Sequence, residues 1–207
     1  MKITNLKIGT RLAIGFASVL ILTVIVGITA IIEMQNLAGD IVLMHKHPLA
    51  VSNAVRDIRA NIIAIHRSMK DIALAKDVGQ IATASATLDR YEQEVYKSFK
   101  LVSQRFLGDK SDVKTAQQAF SEWKAIRDEV IRLMELGEKD QAADITKGAK
   151  HVEDMNQKIQ VMIDFSSDKG DSFFENAQQN SQWAIYVMII LLLITFITSV
   201  EIGRAHV

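Results

Sequence analysis

The sequence predicts an all-α fold: a membrane-anchored antiparallel up-down-up-down four-helix bundle flanked by two transmembrane helices. Three observations predict it. Two uncharged apolar runs stand near the ends, Leu12 to Ile32 with 21 residues and Trp183 to Val200 with 18. Runs of that length can cross the ~30 Å hydrocarbon core as helices. The 150 residues between them, 33–182, repeat apolar side chains at steps of three and four, the period of helices that pack on one another. One Pro and ten Gly in 207 residues leave few breakers.

Residues 1–11, MKITNLKIGTR, form an N-terminal tail with Lys2, Lys7 and Arg11 and no acid. Short basic flanks stay cytoplasmic, so the tail is expected inside and Arg11 at the inner membrane interface. Residues 12–32 are the first span. A cleaved signal peptide would share the basic flank, but its apolar core is shorter, and no A-x-A-like site follows here, so the run reads as an uncleaved anchor. One crossing places residues 33–182 outside, and a second crossing, 183–200, returns the chain. Trp183 and Tyr186 open the second span, where an outer aromatic belt is expected. That span has no polar face, which argues against a buried core helix.

The first bundle helix is predicted from Met34. Its apolar seam runs Met34, Leu37, Ile41, Met44, Pro48, Val51, Val55, Ile58, Ile62, Ile65, Met69, Ile72 without a missed step. Pro48 sits on that seam and predicts a bend or break at His47-Pro48. Lys76-Asp77-Val78-Gly79 reads as the first turn. The second helix carries Ile81, Leu88, Tyr91, Val95, Phe99, Val102 and Phe106, and Leu107-Gly108-Asp109 reads as a glycine stop. The third, capped by Ser111 or Asp112, carries Val113, Ala116, Phe120, Trp123, Val130 and Leu133 and ends at Gly137. The fourth starts near Glu138, holds Ala142, Ile145, Ala149, Val152, Met155, Ile159, Met162 and Phe165, and runs through a polar stretch, 166–182, into the second span.

Helices one and four both reach the membrane, so they outrun the inner pair. About 44 residues in helix one make roughly 66 Å, against roughly 40 Å for inner helices of near 27 residues. Residues 33–45 and 166–182 would bare apolar stripes in a monomer, which predicts a homodimer. Residues 201–207, EIGRAHV, break the apolar run with Glu201 and read as a non-native tail on a truncated gene, or else as the end of a naturally short protein.

Composition narrows the chemistry. With no Cys, disulfides, Cys-ligated metals and thiol nucleophiles are excluded. Residues 33–182 hold 20 Lys and Arg against 23 Asp and Glu, a net of −3, and no basic tract, so nucleic acid is not an expected partner. There is no Gly-rich phosphate loop, no HExxH and no G-x-S-x-G, so no enzyme activity and no cofactor are expected. His45 and His47 are two apart on a helix and point to different faces, so with His66 and His151 they make no evident metal site. Tyr91, Phe99, Phe120 and Trp123 could line a pocket, but at helical spacing core is the simpler role. Arg56, Arg59 and Arg67 stand on helix one. Arg56 and Arg59, three apart, share a face, and the guanidinium fork suits carboxylates. The simpler role is a solvated face pairing with Asp57 and Asp71.

The basic tail, the span, HPLAVSNAVRDIRANIIAIHRSM, the GEKDQA opening of the last helix at Gly137 to Ala142, and the second span together resemble the sensor half of methyl-accepting chemotaxis receptors, over residues 1 to about 200. The resemblance implies a periplasmic dimeric bundle in a bacterial inner membrane that binds a small molecule or a periplasmic binding protein. It implies a last helix that shifts along its axis, and a cytoplasmic HAMP linker and signalling hairpin, beyond the residues present here, that engage a kinase complex. It also implies anionic ligands held by first-helix arginines, which makes Arg56, Arg59 and Arg67 the candidate contacts. The same sensor module on a histidine kinase or a diguanylate cyclase, or a two-span structural bundle, are the competing readings.

Overall fold

The computed structural model describes residues 8–147 and 150–204, with Arg11 and Gly203 described by backbone alone. The described residues are helical with short turns and contain no strand. The elements are α1 (Ile8–Met44), one π-helical turn (His45–Leu49), α2 (Ala50–Ala73), α3 (Val78–Arg105), α4 (Lys110–Glu135), α5 (Lys139–Lys147) and α6 (Lys150–Arg204). They divide into two compact units, Met44–Ser172 and Met1–Leu43 with Phe173–Val207.

In the Met44–Ser172 unit the α2 seam is the spine of the core. Val51, Val55, Ile58, Ile62, Ile65, Met69 and Ile72 are each 2% exposed or less. Full burial of such a side chain stabilises by roughly 1.5–3 kcal/mol, which is why the three-four pattern dictates the bundle. Phe99, Phe120 and Trp123 are buried in the same core, with Tyr91 partly buried against it. Their predicted alternative, a pocket lining, is not what they form.

The Pro48 seam position neither breaks nor sharply ends the helix. Proline has no N–H for the usual bond to the fourth residue back, and its ring crowds that carbonyl. The backbone instead widens into a π-helical turn over His45–Leu49 with Pro48 buried inside it. His47 Nδ1 donates to the Arg105 carbonyl at 3.1 Å, tying this turn to the end of α3.

The turns differ from expectation in two places. The α3–α4 stop is not a left-handed glycine, since Gly137 holds the one positive φ among the described residues, at 83°. Gly108 is needed for space instead. A Cβ there would meet the Phe106 ring at 2.7 Å and the Phe165 ring at 3.1 Å. The cap of α4 is Asp109, not Ser111 or Asp112. Its Oδ1 accepts from the Ser111 N–H at 2.8 Å, and that bond holds its carboxyl below the usual value. Asp77 caps α3 in the same way, accepting from the Gln80 N–H at 2.9 Å, so Val78 and Gly79 belong to the helix and not to the turn. At Gly137 the Glu138 N–H reaches the Leu133 carbonyl and the Gly137 N–H reaches the Met134 carbonyl, closing α4 with a Schellman motif. The predicted fourth helix is represented by α5 and α6; residues 148 and 149 between them lie outside the described residues.

The other unit contains the two apolar runs, both within helices long and apolar enough to cross a membrane. Their large side chains point outward, among them Phe16, Leu20, Ile28, Leu192 and Phe196. Gly15 is the close approach of this unit: a Cβ there would sit 2.8 Å from the Ile202 side chain.

Candidate functional site

The first-helix arginines emerge on α2. Arg56 and Arg67 are exposed and make no ion pair among the described residues, so neither pairs with Asp57 or Asp71 as the simpler expectation had it. Eleven residues separate them, about 16 Å of helix, so one small anion cannot touch both. Arg59 is half-buried and engaged. Its Nη2 donates to Gln160 Oε1 at 2.6 Å and to the Asn156 carbonyl at 3.4 Å, both on α6. Gln160 Nε2 in turn donates to Asp164 Oδ1 at 2.5 Å. Arg59 therefore joins the first and last helices of the bundle, while its own Nε is buried without a partner.

His66, one turn before Lys70, has its pKa lowered, first by burial and then by the Lys70 charge. Among the described residues no group of three His, Cys, Asp or Glu side chains converges on a metal position. Of the residues expected at the membrane interface, Trp183 and Tyr186 are exposed by 71% and 62%, and the Arg11 side chain lies outside the described residues.

Sequence reasoning missed a buried charged layer between α3 and α4. Arg127 is completely buried, and its Nη2 lies 3.1 Å from Oε1 of Glu92, whose side chain is only 10% exposed. Phe120 and Trp123 face the guanidinium at 4.6 and 5.1 Å, a cation–π arrangement. None of the guanidinium nitrogens makes a well-directed hydrogen bond, so the Glu92 contact is an ion pair without fork geometry. Burial pulls the Arg127 pKa down against the opposing pull of Glu92. Glu92 Oε2 also meets Lys124 at 3.3 Å. Burial works against the Lys124 charge, but Glu92 and Asp128 outweigh it and hold its pKa above the usual lysine value. The signal in the sequence was a gap: the apolar series on α4 jumps from Trp123 to Val130.

The geometry offers two exposed guanidiniums on α2, one tied link from α2 to α6, and a charged layer inside the α3–α4 pair. A family model described as a four helix bundle sensory module for signal transduction matches residues 5–181. No curated protein and no solved structure gives a match. With the match covering most of the chain and the bundle present as built above, this chain belongs to the family of four-helix-bundle sensory modules for signal transduction.

Proposed function

We propose that this chain is the sensory region of a bacterial transmembrane chemoreceptor. The observation that carries the reading is the pairing of a sensory bundle with an apolar, outward-facing helical stretch at each of its two ends. The basic tail supports an inside N-terminus. Residues 33–182 are then periplasmic, both termini cytoplasmic, and the working unit a homodimer, which would cover exposed apolar side chains such as Met34, Leu37, Ile41 and Ile63. Its role is to bind a small molecule or a periplasmic binding protein and to pass the event inward; catalysis, a cofactor and nucleic acid have no part in it.

A ligand shifts the receptor only by its difference in affinity for two states. The moving element is α6, whose polar stretch 166–182 offers little apolar packing to resist sliding against the first helix. Arg59 is placed to feel that motion, because it is bonded to Gln160 on α6. Contact of Arg56, Arg59 or Arg67 with an anionic ligand belongs to the same proposal.

The test is a hybrid in which residues 1–200 replace the sensor region of a chemoreceptor with known kinase output. The expected result is a change in kinase activity for at least one member of a broad metabolite panel, with Ser103→Cys labelled by a membrane-impermeant maleimide in intact cells. A hybrid that inserts correctly, holds basal output and answers nothing would count against a small-molecule sensor. Labelling of Thr4→Cys in place of Ser103→Cys would overturn the orientation.

A further inference from the structure

The charged layer between α3 and α4 is set into two otherwise apolar stretches of seam. On α3, Glu92 stands four residues after Leu88 and three before Val95. On α4, Arg127 stands four after Trp123 and three before Val130. Both therefore occupy core positions of the three-four series. The flanking residues Leu88, Val95, Trp123 and Val130 are each 3% exposed or less, and Arg127 and Glu92 are buried with them, at 0% and 8%.

Apolar seams of this kind do not by themselves fix how two helices line up. Hydrophobic burial is non-directional, and side chains that repeat every three and four residues meet again after a shift of one turn. That shift is roughly 5 Å of axial travel. It would bring Arg127 opposite Leu88 in one direction and opposite Val95 in the other, since each lies about one turn from Glu92. Either shift replaces the Glu92 carboxylate with a side chain that has no acceptor. The aromatic contacts of Arg127 would move with it, because Phe120 and Trp123 lie on its own helix. The contact that a shift removes is the one to Glu92, now at 3.1 Å.

The pair is poorly built as a stabiliser. None of the Arg127 nitrogens makes a well-directed hydrogen bond, and a buried ion pair of loose geometry returns little beyond its desolvation cost. Discrimination needs less. It depends on the difference between a buried charge that is paired and the same charge left alone, which is large.

We propose that the Arg127–Glu92 pair is a register lock, which selects one alignment of α3 against α4 from several that the apolar seams would tolerate. Because α4 passes through the Gly137 turn into α5, the same pair sets the height of α5 beside α2. The inference concerns the fold and holds whether or not the module senses anything.

The chain has no Cys, so two introduced cysteines can carry nitroxide labels. Lys97→Cys on α3 and Glu135→Cys on α4, both at exposed positions, report the alignment. The measurement is double electron–electron resonance on the full chain in detergent micelles, diluted with unlabelled chain. With the natural pair in place, one distance is expected. In Glu92→Leu with Arg127→Met, a second distance appears, displaced by up to roughly 5 Å. Its share rises from below about one in a hundred to about one in ten or more, while the melting transition is kept. Exchanging the charges, as Glu92→Arg with Arg127→Glu, restores the single distance. A single unshifted distance in the apolar double variant overturns the proposal, because the seams and the connection 106–109 then suffice. Two distances in the charge-exchanged chain overturn the pairing and leave the aromatic seat of Arg127 as the determinant. A second distance with the natural pair in place overturns the lock outright. Loss of the melting transition in the apolar double variant overturns the premise that the seams pack without the pair.

Discussion

Arg127 Nη2 and Glu92 Oε1 meet at 3.1 Å inside a helical core, with the guanidinium wholly buried against two aromatic rings. Breaking a buried pair leaves an uncompensated charge, whereas replacing both members with apolar groups removes the desolvation cost along with the attraction. Arg127→Ala should therefore destabilise by about 3–5 kcal/mol. The double substitution Glu92→Leu with Arg127→Met should be neutral or up to roughly 4 kcal/mol stabilising. Urea denaturation followed by circular dichroism measures both. A double variant as unstable as the single one would mean that the pair shapes the core and does not merely occupy it.

The α2 arginines should separate by role. Arg59→Ala removes a charged donor from Gln160 and should cost about 1–3 kcal/mol, while Arg56→Ala and Arg67→Ala, at exposed positions, should stay within about 0.5 kcal/mol. Melting curves of the three variants are enough. Equal effects at all three would undo the distinction between the tied arginine and the free ones.

Three glycine-to-alanine changes should act through three different causes, two destabilising and one stabilising. Gly108→Ala forces a methyl into the Phe106 and Phe165 rings and should cost about 1–3 kcal/mol. Gly137→Ala has open space but a φ of 83°, and should cost about 1 kcal/mol from the backbone alone. Gly39→Ala, inside α1 with nothing within 4 Å, should raise stability by up to about 1 kcal/mol. A destabilising Gly39→Ala would point to a close neighbour at that position.

His66 predicts a pH dependence. Its folded pKa lies below the usual histidine value of 6.5 because burial and Lys70 disfavour the charged form. At a pH between the two values the unfolded chain binds more protons, so stability falls as pH falls. The loss begins near pH 6.5 and levels off below the folded value. His66→Gln should flatten that part of the profile, and the His66 imidazole resonances of the folded protein should titrate below 6.5. A midpoint above 6.5 would reverse the sign and refute the burial argument.

Much of the bundle was legible because its signals are redundant. The α2 seam repeats a three-four step through every turn from Val51 to Ile72, and each of those residues is buried. What stayed hidden depended on single polar residues. Tyr91 looked like the α3 core position by hydrophobicity, but Glu92 is the more buried of the two, because its charge is met by Arg127 and Lys124. The α4 cap passed to Asp109 because its own backbone is extended just before the helix, which lets its Oδ1 turn back to the Ser111 N–H. Pro48 announced a disturbance, but a π-helical turn and a break share the same missing N–H, so the residue alone does not distinguish them. For the α2 arginines, spacing placed Arg56 and Arg59 on one side of a helix and was silent on the Gln160 bond, which depends on a residue about a hundred positions away.

Asn156, Gln160 and Asp164 recur at four-residue intervals on α6, so the oxygen-bearing groups offered to Arg59 stand about 6 Å apart along the axis. The guanidinium is thus a pawl on a toothed rack. A travel of a full turn would exchange one tooth for the next, with a formal carboxylate replacing a neutral amide. In the sliding proposed for α6, a travel of an ångström or two is too short to reach the next tooth, so the Arg59–Gln160 bond would follow the helix without changing partners.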